Sequence, residues 1–232
     1  MSSFEDFNDP YDGAMKYDPV KLHSLITSNP MKTMDAGLDM VIENCMCELL
    51  LEKVQSFYRA ACFSESVHNM QMWSHYADYR KGFCLAYRAE DIIFNLLRFF
   101  PMVYTDERID GTDFMFKAWV MANSNYLEDS EDFVQFNGHK LYRNVDATMA
   151  LKAGLFKAPC WSDEREWRLI DIVTSSEEMP KKKPSRIFYG CKMSMEQKKR
   201  IHQIAVQKGL VELEMYIDNT TDGYIMQYDL FK

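Results

Sequence analysis

The chain has 232 residues, of which 47% are hydrophobic and 14% aromatic, with only 9 Gly and 7 Pro. This composition supplies enough apolar surface for a folded core and excludes an intrinsically disordered chain. The formal charge is −8, from 35 acidic and 27 basic residues, which opposes non-specific binding to phosphate backbones or anionic lipid.

The first third of the chain combines a loop, a helix and a strand. Residues 3–13 concentrate turn-forming residues around Pro10 and predict a structured loop. Apolar residues at intervals of three and four predict a helix over 37–54, and 57–63 is typical of a buried strand. A second helix is predicted over 69–79, where Gly82 ends the helical pattern.

The remaining elements follow in chain order. The middle of the chain is predicted to be mainly helical from 113 to 155, with breaks near Ser130 and Asn137-Gly138. The other predicted helices are 91–97 and 194–208, and the other predicted strands are 83–87, 99–104, 166–173, 186–189, 211–217 and 224–230. Strands at both ends around a helical middle do not give regular βα alternation. We therefore predict an α+β fold with a predominantly antiparallel or mixed sheet, in a single domain over 1–232.

Cysteine usage and hydropathy bear on the compartment. The six cysteines, at positions 45, 47, 62, 84, 160 and 191, contain no Cys-x-x-Cys pair and predict reduced thiols rather than a metal site. No signal peptide is visible, and no apolar run approaches the roughly 20 residues that span a bilayer. The sequence therefore predicts a cytoplasmic protein without a membrane partner. The basic run at 181–183 is predicted to be a solvated loop, so nucleic acid is not an expected partner.

Several motifs resemble one family in their order along the chain. They are Phe-Asn-Asp-Pro-Tyr-Asp at 7–12, Cys-Phe-Ser at 62–64, Met-Trp-Ser-His-Tyr-Ala-Asp at 72–78, Lys-Gly-Phe-Cys-Leu at 81–85 and Trp-Ser-Asp-Glu-Arg-Glu-Trp-Arg-Leu at 161–169. Together they resemble the bacterial domain-of-unknown-function 2971 family, which is associated with abortive-infection and other defence genes. The resemblance also implies a further strand-bearing segment before the Asn-Asp-Pro motif. We therefore expect this chain to be an N-terminally short member.

Two glutamates are the first candidates for catalysis. Glu164, Glu166 and Arg168 are spaced two apart, so a strand that begins at Glu164 projects all three from one face. Paired carboxylates suit general-acid or oxocarbenium-stabilising chemistry. The alternative is an ordinary ion pair of Glu166 with Arg168 or Arg165 at a strand entrance.

The helix over 69–79 and the N-terminal loop supply candidate ligand contacts. Trp73 and Tyr76 share one helix face, so they can stack a nucleobase or nicotinamide beside His75; alternatively, both rings belong to the core and Asp78 hydrogen-bonds His75. Asn8 and Asp9 fix a turn by default, and the same turn can present them to a ligand. Neither Cys62 nor Ser64 is assigned as a nucleophile.

Three functions follow from these candidates. The first is an ADP-ribosyltransferase-like activity, with NAD as the cofactor and Glu164, Glu166 and His75 as the catalytic residues. Asn8, Asp9, Trp73, Tyr76 and Arg168 are then the residues that bind the ligand. The second is a non-catalytic module that recognises a small molecule or nucleotide in phage defence, and the third is a nuclease-like toxin. P-loop, Rossmann, zincin and serine-hydrolase motifs are all missing from the sequence.

Overall fold

A computed structural model describes residues 2–28, 58–93, 99–123, 133–136, 139–142, 147–172, 183–220 and 222–232. The helices are α1 Pro19–Ser28, α2 Met70–Tyr76, α3 Ala89–Ile93, α4 Thr112–Asn123, α5 Ala147–Ala153 and α6 Met195–Lys208, with 3-10 helices at Phe4–Asp6 and Pro159–Glu164. The strands are β1 Ser2–Ser3, β2 Tyr58–Ser64, β3 Phe83–Ala86, β4 Phe99–Pro101, β5 Val103–Tyr104, β6 Phe133–Phe136, β7 His139–Tyr142, β8 Phe156–Lys157, β9 Glu166–Ile172, β10 Arg186–Tyr189, β11 Val211–Ile217 and β12 Met226–Leu230.

The strands form two four-stranded sheets and two strand pairs within the described residues. The larger sheets have the orders β1-β2-β9-β4 and β12-β11-β10-β3, and the pairs are β5-β8 and β6-β7. In the second sheet β10 runs parallel to β11 and antiparallel to β3, and β11 runs antiparallel to β12. Helices beside mixed and antiparallel strands make this an α+β fold, as predicted.

The chain divides into two compact units, which we describe separately. The first contains Met1–Cys62, Phe100–Trp161 and Arg168–Glu177, and the second contains Phe63–Phe99, Ser162–Trp167 and Glu178–Lys232. The single domain over 1–232 stays a prediction.

Apolar side chains of helices and strands form the core of the first unit. Leu22 and Ile26, one turn apart on α1, are buried against Met115 of α4. A second cluster joins Phe4 to Ile170 of β9 and also contains Tyr58 and Ala60 of β2. This packing fixes the loop that follows Phe4, which carries the Asn-Asp-Pro motif.

The second unit buries both faces of its sheet. Alternate residues of β10 point to opposite faces, so Phe188 packs with Trp73 of α2 while Ile187 and Tyr189 pack with Ala205 of α6. Helix α6 begins with a capping box of Ser194 and Gln197 and ends at Gly209, whose φ of 63° suits glycine. Side-chain pairs also join α6 to β11: Lys198 with Glu214 at 2.5 Å, and His202 with Glu212 at 2.9 Å.

Most predicted elements are confirmed where the structure describes them. Strands β2, β3, β10, β11 and β12 and helices α2 and α6 lie within the ranges that their patterns predict, apart from shifts of a few residues at their ends. Strand β9 is an interior strand of its sheet, as its apolar content predicts. The predicted helix over 37–54 lies outside the described residues.

The prediction of a mainly helical segment over 113–155 is wrong in part. Helices α4 and α5 are present, but β6 and β7 form an antiparallel pair between them, with Phe136 opposite His139. The sequence Phe-Val-Gln-Phe has high strand propensity, and the following Asn137-Gly138 is a strong hairpin signal, so local propensity outweighs the helical pattern. The predicted strand over 99–104 is also divided, into β4 and β5.

Four of the six cysteines lie among the described residues: Cys62, Cys84, Cys160 and Cys191. All four are free thiols. Burial raises the pKa of the Cys84 thiol, which disfavours its reactive thiolate. None of the helices in the described part of the chain has the length and hydropathy needed to cross a bilayer.

Candidate functional site

One asparagine organises the helix that carries three of the predicted site residues. The side-chain oxygen of Asn69 accepts hydrogen bonds from the backbone N–H groups of Gln71 (2.8 Å) and Met72 (3.2 Å), which caps the N-terminus of α2. Its side-chain nitrogen donates to the backbone carbonyl of Asp163 at 2.7 Å. Asn69 thus begins α2 and fixes the 3-10 helix Pro159–Glu164 beside it.

A second hydrogen bond fixes the end of that 3-10 helix. The Ser64 hydroxyl at the end of β2 donates to the backbone carbonyl of Glu164 at 2.7 Å. The chain then turns sharply, because Arg165 adopts a φ of 45° and its N–H donates to the carbonyl of Ser162. Glu164 is therefore the last residue of a rigidly held turn that leads into β9.

The side chains of Tyr76 and Glu164 meet in the second unit. The phenol hydroxyl of Tyr76 donates to Oε1 of Glu164 at 2.7 Å. Glu164 is buried, with 7% of its surface exposed, whereas Tyr76 at the end of α2 is 51% exposed. A buried carboxylate is thus fixed by a neutral hydroxyl whose ring lies at the surface.

The predicted strand face of Glu164, Glu166 and Arg168 is corrected by this geometry. Glu166 and Arg168 are buried at alternate positions of β9, as a strand requires, but Glu164 lies in the 3-10 helix before it. The physical reason is the left-handed conformation of Arg165, which breaks the extended backbone between the two glutamates. The carboxylates of Glu164 and Glu166 therefore do not share a strand face.

The two aromatic residues of α2 have different environments. Trp73 is 3% exposed, packs with Phe188 and Met215, and donates its indole N–H to the carbonyl of Val67 at 2.7 Å. The core interpretation is therefore right for Trp73, which has no face open for stacking, and wrong for the exposed Tyr76. His75 is exposed, and its ring lies edge-on to that of Tyr76, with centroids 6.4 Å apart.

In the first unit, Arg168 is part of a buried ion pair. Both terminal guanidinium nitrogens donate to Asp12, with Nη2 donating to Oδ2 at 2.8 Å, and Nη1 also donates to the carbonyl of Gly154 at 2.9 Å. The side chains of both Arg168 and Asp12 are 1% exposed. The guanidinium carbon lies 5.0 Å from the ring centroid of Phe7 and 5.6 Å from that of Phe4. This environment makes Arg168 an internal anchor of the N-terminal loop rather than a surface ligand contact.

The Asn-Asp-Pro motif adopts the turn that its sequence predicts. Asp9 is buried, and its carboxylate accepts a hydrogen bond from the backbone N–H of Tyr11 at 2.9 Å, which is an Asx-type turn. Asn8 is exposed beside it. Asn8, Asp9 and Arg168 therefore belong to the first unit, and Trp73, His75, Tyr76, Glu164 and Glu166 to the second.

Two residues that organise these sites were not predicted from sequence. Asp12, the partner of Arg168, is the last residue of the Phe-Asn-Asp-Pro-Tyr-Asp motif, and its place in that motif is a sequence signal that could have identified it. Asn69 stands directly before a helical pattern, where asparagine is a favoured capping residue. Its second contact, to Asp163, joins residues 94 apart and has no local sequence signal. Among the residues that the structure describes, no group of three or more His, Cys, Asp and Glu could hold a metal ion.

Comparison with known proteins finds one family. The family model described as "Protein of unknown function (DUF2971)" matches residues 72–169. This match over part of the chain supports membership of the DUF2971 family. The DUF2971 segment runs from α2 to the first residues of β9, so it contains His75, Tyr76 and Glu164, whereas Asn8 and Asp9 lie outside it. No curated protein and no solved structure matches the chain.

Proposed function

We propose that the second unit is an ADP-ribosyltransferase-like site that cleaves the nicotinamide–ribose bond of NAD. The observation that carries the proposal is the 2.7 Å hydrogen bond between the exposed Tyr76 and the buried Glu164. A carboxylate held at a fixed position can stabilise the positive charge that develops on the ribose as this bond breaks. The Tyr76 hydroxyl donates a hydrogen bond to this carboxylate and carries no charge of its own.

The residues of α2 have complementary roles in this reaction. The bond between the ribose C1′ and the nicotinamide nitrogen breaks, and its electron pair stays with nicotinamide. A hydroxyl or amine acceptor, or water, then forms a bond to C1′ and loses a proton. The exposed imidazole of His75, next to Tyr76 in sequence, is the group of α2 that can accept that proton. The exposed ring of Tyr76 offers the stacking surface that the buried Trp73 does not.

The role of Glu166 is to support the site rather than to react. Glu166 is 5% exposed at the first position of β9, directly after the turn made by Glu164 and Arg165. We expect replacement of Glu166 to lower turnover less than replacement of Glu164. This ranking distinguishes the proposal from the sequence hypothesis of two equivalent carboxylates.

A module that recognises nucleotides without turnover is the second candidate. The observation that favours it is the pair of hydrogen bonds that Asn69 and Ser64 donate to backbone carbonyls of the Glu164 turn. A preorganised polar site of this kind can bind a ligand tightly without reacting with it. A cytoplasmic location and a role in bacterial defence stay predictions for either candidate.

The test combines ligand binding with product release. Wild type and the Glu164→Gln, Glu166→Gln and His75→Ala variants are incubated with NAD, nicotinamide release is measured by chromatography, and melting is followed with and without NAD. We expect Glu164→Gln to lower the rate by about 10²–10³-fold, because it removes a charge that acts on the transition state. A matched control is Glu196→Gln, at an exposed glutamate that pairs with Arg200 in α6, and it should release nicotinamide at the wild-type rate.

The outcomes separate the two candidates. Saturable NAD binding without nicotinamide release favours the recognition module. If neither binding nor release occurs, and Glu164→Gln only lowers the melting temperature, the Tyr76–Glu164 pair is structural.

A further inference from the structure

The turn that follows α2 has an unusual backbone. Asp78, Tyr79 and Arg80 adopt φ values of 43°, 53° and 74°, so three consecutive residues other than glycine are left-handed. This conformation brings the side chain close to the backbone and is costly for L-residues, with only Asn and Asp tolerating it readily. Tyr79 and Arg80 are therefore strained where glycine would not be.

Backbone contacts hold the turn in this conformation. The Arg80 N–H donates to the carbonyl of Trp73 at 3.0 Å, and the Arg80 carbonyl accepts from the Lys192 N–H at 2.9 Å. Gly190 packs so closely that a Cβ there would lie 2.2 Å from the Arg80 carbonyl oxygen. These contacts involve the main chain of Arg80 and not its side chain, so the surrounding backbone fixes the path of the turn.

The side chains of the turn are of types that bind ligands. Tyr79 is 70% exposed, and Asp78 is exposed beside it. The Nε atom of Arg80 is buried and has no hydrogen-bond partner within the described part of the chain. Arg80 as a whole is half-buried rather than enclosed. A buried donor without an acceptor is unfavourable, and a guanidinium group pairs best with phosphate or carboxylate oxygens.

We propose that the 78–80 turn binds a phosphate group of a nucleotide, with Arg80 donating to the phosphate and Tyr79 stacking against the base. Lys81 is exposed next in sequence and adds positive charge, while Asp78 opposes it. Backbone strain that is retained at exposed, non-glycine positions is typical of functional sites. This assignment rests on the proposed function. If NAD reacts beside Tyr76, the 78–80 turn that follows it would bind the ADP-ribosyl part of the same molecule.

The first test is a binding experiment on the full chain with ADP-ribose, which carries a diphosphate and a second ribose, and adenosine, which carries neither. Isothermal titration should show that Arg80→Gln weakens ADP-ribose binding by about 10- to 100-fold, as expected for loss of charge-assisted hydrogen bonds, and leaves adenosine binding unchanged. The control is Arg200→Gln, at an exposed arginine of α6 whose partner is Glu196. That variant should bind ADP-ribose with wild-type affinity.

A second variant separates ligand binding from folding. Tyr79→Gly relieves the strain at a φ of 53°, so it should raise the melting temperature by about 2–4 °C while weakening the binding of both ADP-ribose and adenosine. A structural role for the Tyr79 side chain predicts the opposite, a lower melting temperature.

Each remaining outcome decides one of the two proposals. If wild type does not bind ADP-ribose, or binds it as tightly after Arg80→Gln, the phosphate site is wrong, even where nicotinamide release from NAD supports the proposed function. If ADP-ribose binding depends on Arg80 but no nicotinamide is released, the phosphate site stands and the transferase activity is wrong.

Discussion

Each unit contains a buried carboxylate, but the two carboxylates have different partners. In the first unit, Asp12 is paired with the guanidinium of Arg168, and both side chains are 1% exposed. In the second unit, Glu164 accepts a hydrogen bond from the hydroxyl of Tyr76, whose ring is half exposed. Burial of the carboxylate is similar in the two cases.

The charge and the exposure of the partner distinguish the two pairs. A guanidinium group neutralises the carboxylate with which it pairs. When both side chains are buried, as here, the pair offers no surface to a ligand and its role is structural. A phenol donates a hydrogen bond without adding a charge of its own, and a half-exposed phenol lies where a ligand can reach it. We therefore assign a structural role to Asp12–Arg168 and propose a functional role for Tyr76–Glu164.

The largest expected effect comes from breaking the structural pair. Replacing Arg168 with methionine leaves Asp12 buried without its cation, which should lower the free energy of unfolding by about 3–5 kcal/mol. Urea denaturation measures this loss. The matched control is the double variant Asp12→Asn and Arg168→Met, which removes both charges and should recover much of the lost stability. A single Arg168→Met variant as stable as wild type would contradict the structural role.

The next effect tests how the turn after α2 is held. Gly190→Ala puts a methyl group 2.2 Å from the Arg80 carbonyl oxygen, a clash with backbone that should cost about 1–3 kcal/mol or more. Gly209→Ala is the control, because Gly209 has a φ of 63° but no atom within 4 Å of an added Cβ. It should cost only the left-handed strain of about 1–2 kcal/mol. Equal melting temperatures of wild type and Gly190→Ala would show that the turn is not clamped at this point.

The smallest effect concerns an exposed carboxylate of the first unit, in contrast to the buried Asp12. Asp110 accepts hydrogen bonds from the hydroxyl (2.5 Å) and backbone N–H (2.9 Å) of Thr112, and these lower the pKa of Asp110. A lowered folded-state pKa stabilises the fold above the unfolded-state pKa of about 3.9 and loses that contribution as the pH falls through the folded-state pKa.

We therefore expect Asp110→Asn to lower the free energy of unfolding at pH 7 by about 0.5 kcal/mol or less, as for other exposed positions. The difference from wild type should shrink below about pH 4. Denaturation of both proteins between pH 2.5 and 7 measures it. A difference that grows toward acid would contradict the assignment of the Thr112 hydrogen bonds.

The sequence predicted elements whose patterns are local. Helix α6 has a capping serine and a terminal glycine, and β11 has alternating apolar residues, so both were predicted nearly to the residue. The β6–β7 pair was missed because its short strands lie in a stretch with helical periodicity on both sides. An Asn-Gly pair in such a stretch is compatible with a helix break as well as with a hairpin turn.

The candidate site was predictable in composition but not in geometry. The residue types at His75, Tyr76 and Glu164 were sufficient to nominate them. The left-handed conformation of Arg165, which moves Glu164 off the strand, has no signature in the residue type, since arginine does not favour positive φ. The burial of Arg168 also depends on Asp12, which lies 156 residues away in sequence.

Nicotinamide release from NAD by wild type and by Tyr76→Phe is the most direct test of the functional assignment of the Tyr76–Glu164 pair. The variant removes one hydroxyl and keeps the ring, so it should lower the free energy of unfolding by about 1.5–3 kcal/mol, as for other hydrogen bonds to a charged group. We predict that wild type releases nicotinamide, and that Tyr76→Phe lowers kcat at least about tenfold because Glu164 is no longer oriented. Absence of release by wild type, or an unchanged kcat in Tyr76→Phe, would contradict the account.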